Sequence, residues 1–446
     1  MQRRKVNLLE GPILKTLLIL SAPLMATAFV QMTYNLVDMA WVGRLGTKEV
    51  AAIGASGVFN WIAASIAAIA RVGSNVYSSQ YYGAGEENKL RNNIKSGMAL
   101  VVILAGLYFV FIQIMAPKLI GIYNLEADVN KLAISYLRII SLGYVVQFLN
   151  PFFSSIYNSI GDSLRPFKMN SVGLIVNLIL DPLLIFGFSF IPGMGIIGAG
   201  VATVLAQVVV TILFLFDINK SKNEVYEGLK MGRIERKHLG EIFKMGFPAG
   251  IQSIFMASIS LVLNKFVASY GATPLAVYTI GTNMESISWM TTEGFQGGII
   301  AFVGQNYGAK NIPRLKEIIR KSMKVVATIG LIGTFILIFF RRDLFNIFLP
   351  GDELAAYQGA YFLLILGSSQ LFMTMEIGAA GVFHGLGLTK IPSIISIVFN
   401  FIRVPLAMLL MPHLQFYGVW IAVTISSILK GVCSNYILYK KYHSLS

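Results

Sequence analysis

The chain has 446 residues, 55% hydrophobic and only 13% charged, with a formal net charge of +15. A soluble globule would carry roughly a quarter charged residues, so the composition excludes an ordinary soluble domain and points to a polytopic membrane protein. The single cysteine, Cys433, and four scattered histidines, His238, His384, His413 and His443, leave no disulfide framework and no HExxH or cysteine-based metal site.

Apolar segments long enough to cross a bilayer, roughly 20 residues each, fall at 12–42, 50–81, 94–116, 132–158, 166–190 and 195–216. A polar stretch, DINKSKNEVYEGLKMGRIERKHLGE, separates these from six more, at 240–268, 274–305, 318–340, 355–384, 391–411 and 415–438. The basic start, MQRRKVNLLEGPILK, runs into an apolar segment that continues past Asp38 without a small-residue cleavage pattern, and so reads as a retained span. The expected fold is all-α: twelve transmembrane helices in two pseudo-symmetric six-helix bundles around a central cleft. Residues 1–216 would form the first lobe, 217–239 a cytoplasmic linker and 240–446 the second lobe.

Placing the N-terminus in the cytoplasm puts most of the 36 lysines and arginines on that side. They include Arg3 to Lys5, Lys89 to Lys95, Arg165 and Lys168, Lys220 to Lys244, Lys310 to Lys324, Lys390, and a tail with Lys430, Lys440 and Lys441. This is a positive-inside pattern, with both termini cytoplasmic in a multi-pass cell-membrane protein. The basic excess is then topological, and no nucleic-acid partner is implied.

The two sets of six are copies. Gln80, Tyr82, Gly83, Ala84 and Leu90 in QYYGAGEENKL recur as Gln305, Tyr307, Gly308, Ala309 and Leu315 in QNYGAKNIPRL, a shift of 225. The same shift takes Pro23 to Pro248 and Gly46 to Gly271, and later VNLILDPLL echoes FNFIRVPLA, pairing Asn177 with Asn400 and Pro182 with Pro405. An even number of helices per copy makes the repeats parallel, an architecture suited to alternating access.

The copies differ in their acids. Asp38 falls opposite Leu263 and Asp181 opposite Val404, so only the first copy carries this pair. An ionisable group inside a span costs at least ~2.5 to 3.5 kcal/mol, which makes it a functional candidate. Gln31 and Asn35 precede Asp38 on what reads as a wet helix face. Asn177 and Asp181 share a helix face at i and i+4. We expect Asp38, Asn177 and Asp181 to form one cluster, with Thr203 as a weaker member, binding a proton or a Na⁺ held by oxygen ligands. In the alternative, Asp181 caps a broken helix while Asp38 pairs with a buried arginine such as Arg138. Pro23 removes a helix hydrogen bond and marks a hinge.

In the second copy Glu285, Glu293 and Glu376 are candidates to line a cleft for cationic cargo, with Met256, Met284 and Met373 as an adaptable wall. No nucleophile with a paired base stands out, so the chain reads as a carrier and not as an enzyme.

The SAP near the start of the first span, VDMAWVGRLG, the repeated QxYGA and NLILDPLLIFG together resemble the multidrug and toxic compound extrusion (MATE) transporters over essentially the whole chain. The resemblance implies a secondary antiporter that expels organic cations or amphipathic compounds in exchange for H⁺, favoured here, or Na⁺. It implies no cofactor beyond that ion, small-molecule and lipid partners, and a monomer. Within the family the sequence looks most like the DinF branch, where Asp38 would be the coupling residue and Pro23 the bend. The acids of the NorM branch fall at Met256 and Met373 here, a departure that argues against a cation site of that type. A flippase for lipid-linked saccharides is the runner-up, but it would need more cationic lining than Arg71, Arg138 and Arg403 offer.

Overall fold

The computed structural model describes residues 6–188, 191–220, 236–348 and 353–445. In chain order the helices are α1 Ile13–Gly43, α2 Thr47–Gly83, α3 Glu87–Gly121, α4 Ala127–Leu142, α5 Tyr144–Ser159, α6 Leu164–Ile185 and α7 Gly195–Lys220, followed by α8 Arg236–Ala268, α9 Ala272–Gly308, α10 Ile312–Phe339 and α11 Arg341–Phe348. The last four are α12 Glu353–Gly367, α13 Gln370–Gly385, α14 Lys390–Leu414 and α15 Phe416–His443. Among the described residues nine helices are each long and apolar enough to cross a membrane, and two bent pairs bring the number to eleven. The remaining long helix, α9, carries Glu285 and Glu293 and stands outside that set.

Several expected boundaries move, each for a local reason. The span expected at 132–158 is two helices meeting at 48° around Gly143, and that at 355–384 breaks by 44° at Ser368 and Ser369. The span expected to reach 190 stops at Ile185. A hairpin of β1 (Gly187–Phe188) and β2 (Ile191–Pro192) follows, entered through Gly187 at φ +83°, a left-handed angle that glycine adopts without a Cβ penalty. Residues 221–235 of the expected linker lie outside the described residues.

The chain forms two compact units. One comprises chiefly Ala26–Gly250, the other Asn7–Met25 with Ile251–Ser446. The division therefore passes through α1 just after Pro23, and through α8 just after Pro248.

In the first unit an aromatic core of Tyr144, Phe148, Phe152, Phe153, Tyr157 and Phe214 is almost completely removed from solvent. Tyr108 donates to the Phe59 carbonyl at 2.8 Å, and Asn93 Nδ2 to Ser78 Oγ at 2.8 Å, so the buried polar atoms at these crossings are paired. The second unit centres on Phe345, Phe362, Phe416 and Trp420. Its N-terminal segment is tied down by Asn306 Nδ2 donating to the Leu8 carbonyl at 3.0 Å and by Arg314 donating to the carbonyls of Glu10 and Gly11 at 2.8 and 3.0 Å.

The repeat read in the sequence is also a repeat of packing. In the second unit Gly294 and Gly298 of α9 press against Met25 and Ser21 of α1; in the first, Gly246 and Gly250 of α8 press against Ile69 of α2. The 225-residue shift takes Met25 to Gly250, Ser21 to Gly246 and Ile69 to Gly294. Small residues let helix backbones approach this closely in lipid.

Candidate functional site

Four of the expected site residues meet inside the first unit. Asn177 and Asp181 on α6 are fully buried, and Asn177 Nδ2 donates to Asp181 Oδ1 at 3.2 Å. The small residues of the α6–α7 contact bring α7 alongside: a Cβ on Gly173 would overlap Val210, and one on Gly198 the Leu184 carbonyl. Thr203 on α7 donates its hydroxyl to the Ala199 carbonyl at 3.0 Å, which leaves its oxygen lone pair free to accept. The half-buried carboxyl of Asp38 lies beside Asp181, Asn177 and Thr203.

Tyr34, one turn before Asp38 on the same face of α1, is a member that the sequence reading missed. It is 7% exposed, and its hydroxyl lies near Thr203 and the carboxyls of Asp38 and Asp181. The side chain of Asn35 lies outside the described residues.

The polar accounting of this cluster does not close. Asp38 Oδ1, Asp181 Oδ2, Asn177 Oδ1 and Tyr34 Oη are buried without a hydrogen-bond partner among the described residues. Nor does either aspartate pair with a lysine, arginine or histidine there. Arg138, the alternative partner, is exposed on α4 and donates to the Gln113 carbonyl at 3.3 Å. Two carboxylates are both acceptors, so their contact needs a proton or a cation between them. Unpaired buried acceptors cost free energy until something donates to them. The set is all oxygen, fitting a shared proton or a small hard cation.

Pro23 lies inside α1, which runs as one helix through it. It stands two residues before the point where α1 passes from one compact unit to the other.

The residues expected to line a cleft lie in the second unit and do not behave as one group. Glu285 Oε1 accepts from Gln370 Nε2 at 2.7 Å. Glu376 is paired with Lys430 at 3.4 Å, so it is not a bare attractor for cations. This also corrects the placement of Lys430, which is no tail residue: α15 runs to His443 and buries it at 6% exposure. Met284 is buried, Met373 half-buried, and Met256 and Glu293 are exposed.

A duplicated, predominantly helical membrane scaffold with an acidic cluster that is unpaired among the described residues is the architecture of a carrier, and comparison with known proteins identifies its family. The MatE family profile matches residues 23–183 and 248–409, one match per repeat, and the chain belongs to that family. It is 27% identical over 419 residues to the probable multidrug resistance protein NorM of Thermotoga maritima, covering 92% of this chain and 88% of the relative. It is 25% identical to the probable multidrug resistance protein YoeA of Bacillus subtilis, with 90% and 88% covered. The fold superposes on a crystal structure of MATE in complex with MaD3S at a TM-score of 0.92, with 22% identity over 100% of this chain and 99% of that one.

Proposed function

We propose that this chain is a cation-coupled antiporter that exports amphipathic and cationic compounds across the cell membrane, with H⁺ as the coupling ion in preference to Na⁺. Relatives named as multidrug resistance and export proteins support the efflux reading. The observation that carries the coupling is the unpaired carboxyl cluster of Asp38 and Asp181, with orphan oxygens and no basic partner among the described residues.

Loading Asp38 and Asp181 with a proton, or with Na⁺ held by Asp38, Asn177, Asp181 and Thr203, supplies the missing donor and changes the contacts of α1. Pro23, which cannot donate to the carbonyl of Ile19, is where the helix yields. Cargo then meets a different surface in the loaded and unloaded forms, and that differential affinity is what coupling requires. The repeats at 1–216 and 240–446, joined by 217–239, act as the two lobes of a monomer whose basic loops and termini face the cytoplasm.

Reconstitution in proteoliposomes tests this, with a pH gradient and a sodium gradient imposed separately. Export driven by the pH gradient is the expected outcome. Export that ignores both gradients would remove the coupling reading.

A further inference from the structure

Where α10 begins and α15 ends, the second unit gathers cations that no acid answers among the described residues. Tyr442, in the last turns of α15, is the hub. Arg320 of α10 donates from Nη2 to its hydroxyl at 3.0 Å, and Lys316, one turn earlier on α10, holds its Nζ 5.9 Å from the centre of the Tyr442 ring. Lys440 lies 4.7 Å over the ring of Tyr436. The single acid of α10, Glu317, is taken by Lys321 at 2.7 Å, and α15 has no acid at all. Lys316, Arg320 and Lys440 form no ion pair among the described residues.

The internal repeat supplies a control for the bland explanation, that these cations only orient the chain in the membrane. The 225-residue shift takes Arg91 to Lys316 and Lys95 to Arg320, and the 223-residue shift that takes Asn177 to Asn400 also takes Asp217 to Lys440. In the first unit acids stand at this end: Glu87 pairs with Arg91 at 3.7 Å, and Asp217 pairs with Arg165 at 3.1 Å while accepting from the Tyr157 hydroxyl at 2.8 Å. The second unit has a cation in the place of Asp217. Orientation depends on how many basic residues flank the spans, so it gives no reason to gather them around one tyrosine.

The surroundings of the cluster select a lipid. Both α10 and α15 are long and apolar enough to cross a membrane, so the cluster stands at the ends of two spans. Ile425, Leu429, Val432, Tyr436 and Tyr439 are exposed along one face of α15. From Leu429 to Lys440 this stripe rises about 16 Å at 1.5 Å per residue, about half the thickness of a ~30 Å hydrocarbon core. That is the reach of one acyl chain. The ring of Tyr439 meets that of His443 at 4.5 Å, and His443 meets Tyr442 at 5.3 Å, so the stripe runs into the hub. Tyr442 accepts from Arg320 and keeps its own hydrogen to donate, while Arg320 keeps Nε and Nη1. A phosphate carried on an apolar chain is matched at both ends.

We propose that the ends of α10 and α15 form a binding site for an anionic phospholipid, with its phosphate at Arg320, Lys316 and the Tyr442 hydroxyl, Lys440 beside the headgroup, and an acyl chain along the α15 stripe. Basic side chains at the membrane surface attract anionic lipid, and the guanidinium fork suits phosphate oxygens.

The test titrates the full chain, delipidated in detergent, with dioleoyl phosphatidylglycerol and with dioleoyl phosphatidylcholine, and follows the first bound lipid by native mass spectrometry. The wild type should bind the anionic lipid at least about ten-fold more tightly. Lys316→Gln with Arg320→Gln should bring the two lipids to within about two-fold of each other. The equivalent change in the first unit, Arg91→Gln with Lys95→Gln, removes the same formal charge and should leave the preference intact. Tyr442→Phe keeps the ring, serves should the Lys316 and Arg320 variant not fold, and should lower the preference about three-fold. Equal wild-type affinity for the two lipids, a preference undiminished in a folded variant of the cluster, or an equal loss in the first-unit variant overturns the site. Inorganic phosphate in molar excess should not displace the bound lipid; displacement would make the cluster a site for free phosphate and overturn the lipid assignment. Binding is measured without transport, so this site and the efflux reading fail separately.

Discussion

The two units solve the same packing problem and then place charge in opposite ways. The first joins α5 to α7 with neutral amides and brings two acids, Asp38 and Asp181, together where no base answers them among the described residues. The second puts a base beside its acids, Lys430 with Glu376 and Arg403 near Glu285. An acid held by the chain's own ammonium has no call on an outside cation, whereas an unpaired acid has one. Duplication supplied two similar scaffolds, and under the proposed function the difference in charge would confine ion loading to the first of them.

The comparison breaks most directly at Asp38. Asp38→Asn keeps the shape of the side chain and removes the charge, and should lower ion-driven export by at least about 100-fold while leaving the amount of folded protein in the membrane unchanged. Asp181→Asn should approach the same loss, because either amide ends the need for a shared proton. Wild-type drug resistance in either variant would detach the cluster from transport.

The scaffolds themselves can be compared through their glycines. A Cβ at Gly246 would overlap the Ile69 carbonyl, which is backbone, whereas one at Gly298 would meet the Ser21 hydroxyl, which can turn away. Overpacking of this kind costs about 1 to 3 kcal/mol. Gly246→Ala should therefore lower the thermal midpoint in detergent more than Gly298→Ala does. Equal shifts would show that the two contacts are equally plastic.

How much of this was legible follows from what each signal needs. Asp38, Asn177 and Asp181 could be grouped because helix periodicity sets Asn177 beside Asp181 and the repeat singles out both aspartates as lacking counterparts. Tyr34 carried the same i and i+4 signal toward Asp38, but a tyrosine in an apolar span reads as packing until its hydroxyl is seen to be buried. Lys430 was hidden by the logic of topology: counting basic residues near a chain end assigns them to the tail, and only the length of α15 shows otherwise. Its alignment with Gln207 at the 223-residue shift was a usable clue. The bends at Gly143 and Ser368 leave hydropathy unchanged, since a broken span is as apolar as a straight one.

Tyr34 sharpens the picture of the first unit at smaller cost. Tyr34→Phe removes only the hydroxyl, whose oxygen has no hydrogen-bond partner among the described residues, and keeps the ring in its buried place. Loss of one hydrogen bond to a charged group is worth about 1.5 kcal/mol, so coupling-ion affinity should fall by about ten-fold. Unchanged affinity would show that the hydroxyl plays no part in holding the ion.

Thr203 should matter least of the four, and the reason separates the two candidate ions. Its hydrogen is already committed to the Ala199 carbonyl, so it can offer the cluster only a lone pair. A proton shared between Asp38 and Asp181 gains little from that lone pair, whereas a bound Na⁺ counts every oxygen in its shell. Thr203→Val keeps the shape and removes the oxygen. It should reduce proton-driven export by no more than about three-fold, a fraction of the value of one neutral hydrogen bond. A loss as large as that of Asp38→Asn, together with dependence on sodium, would reassign the cluster from a proton to a metal ion and leave the contrast between the two units intact.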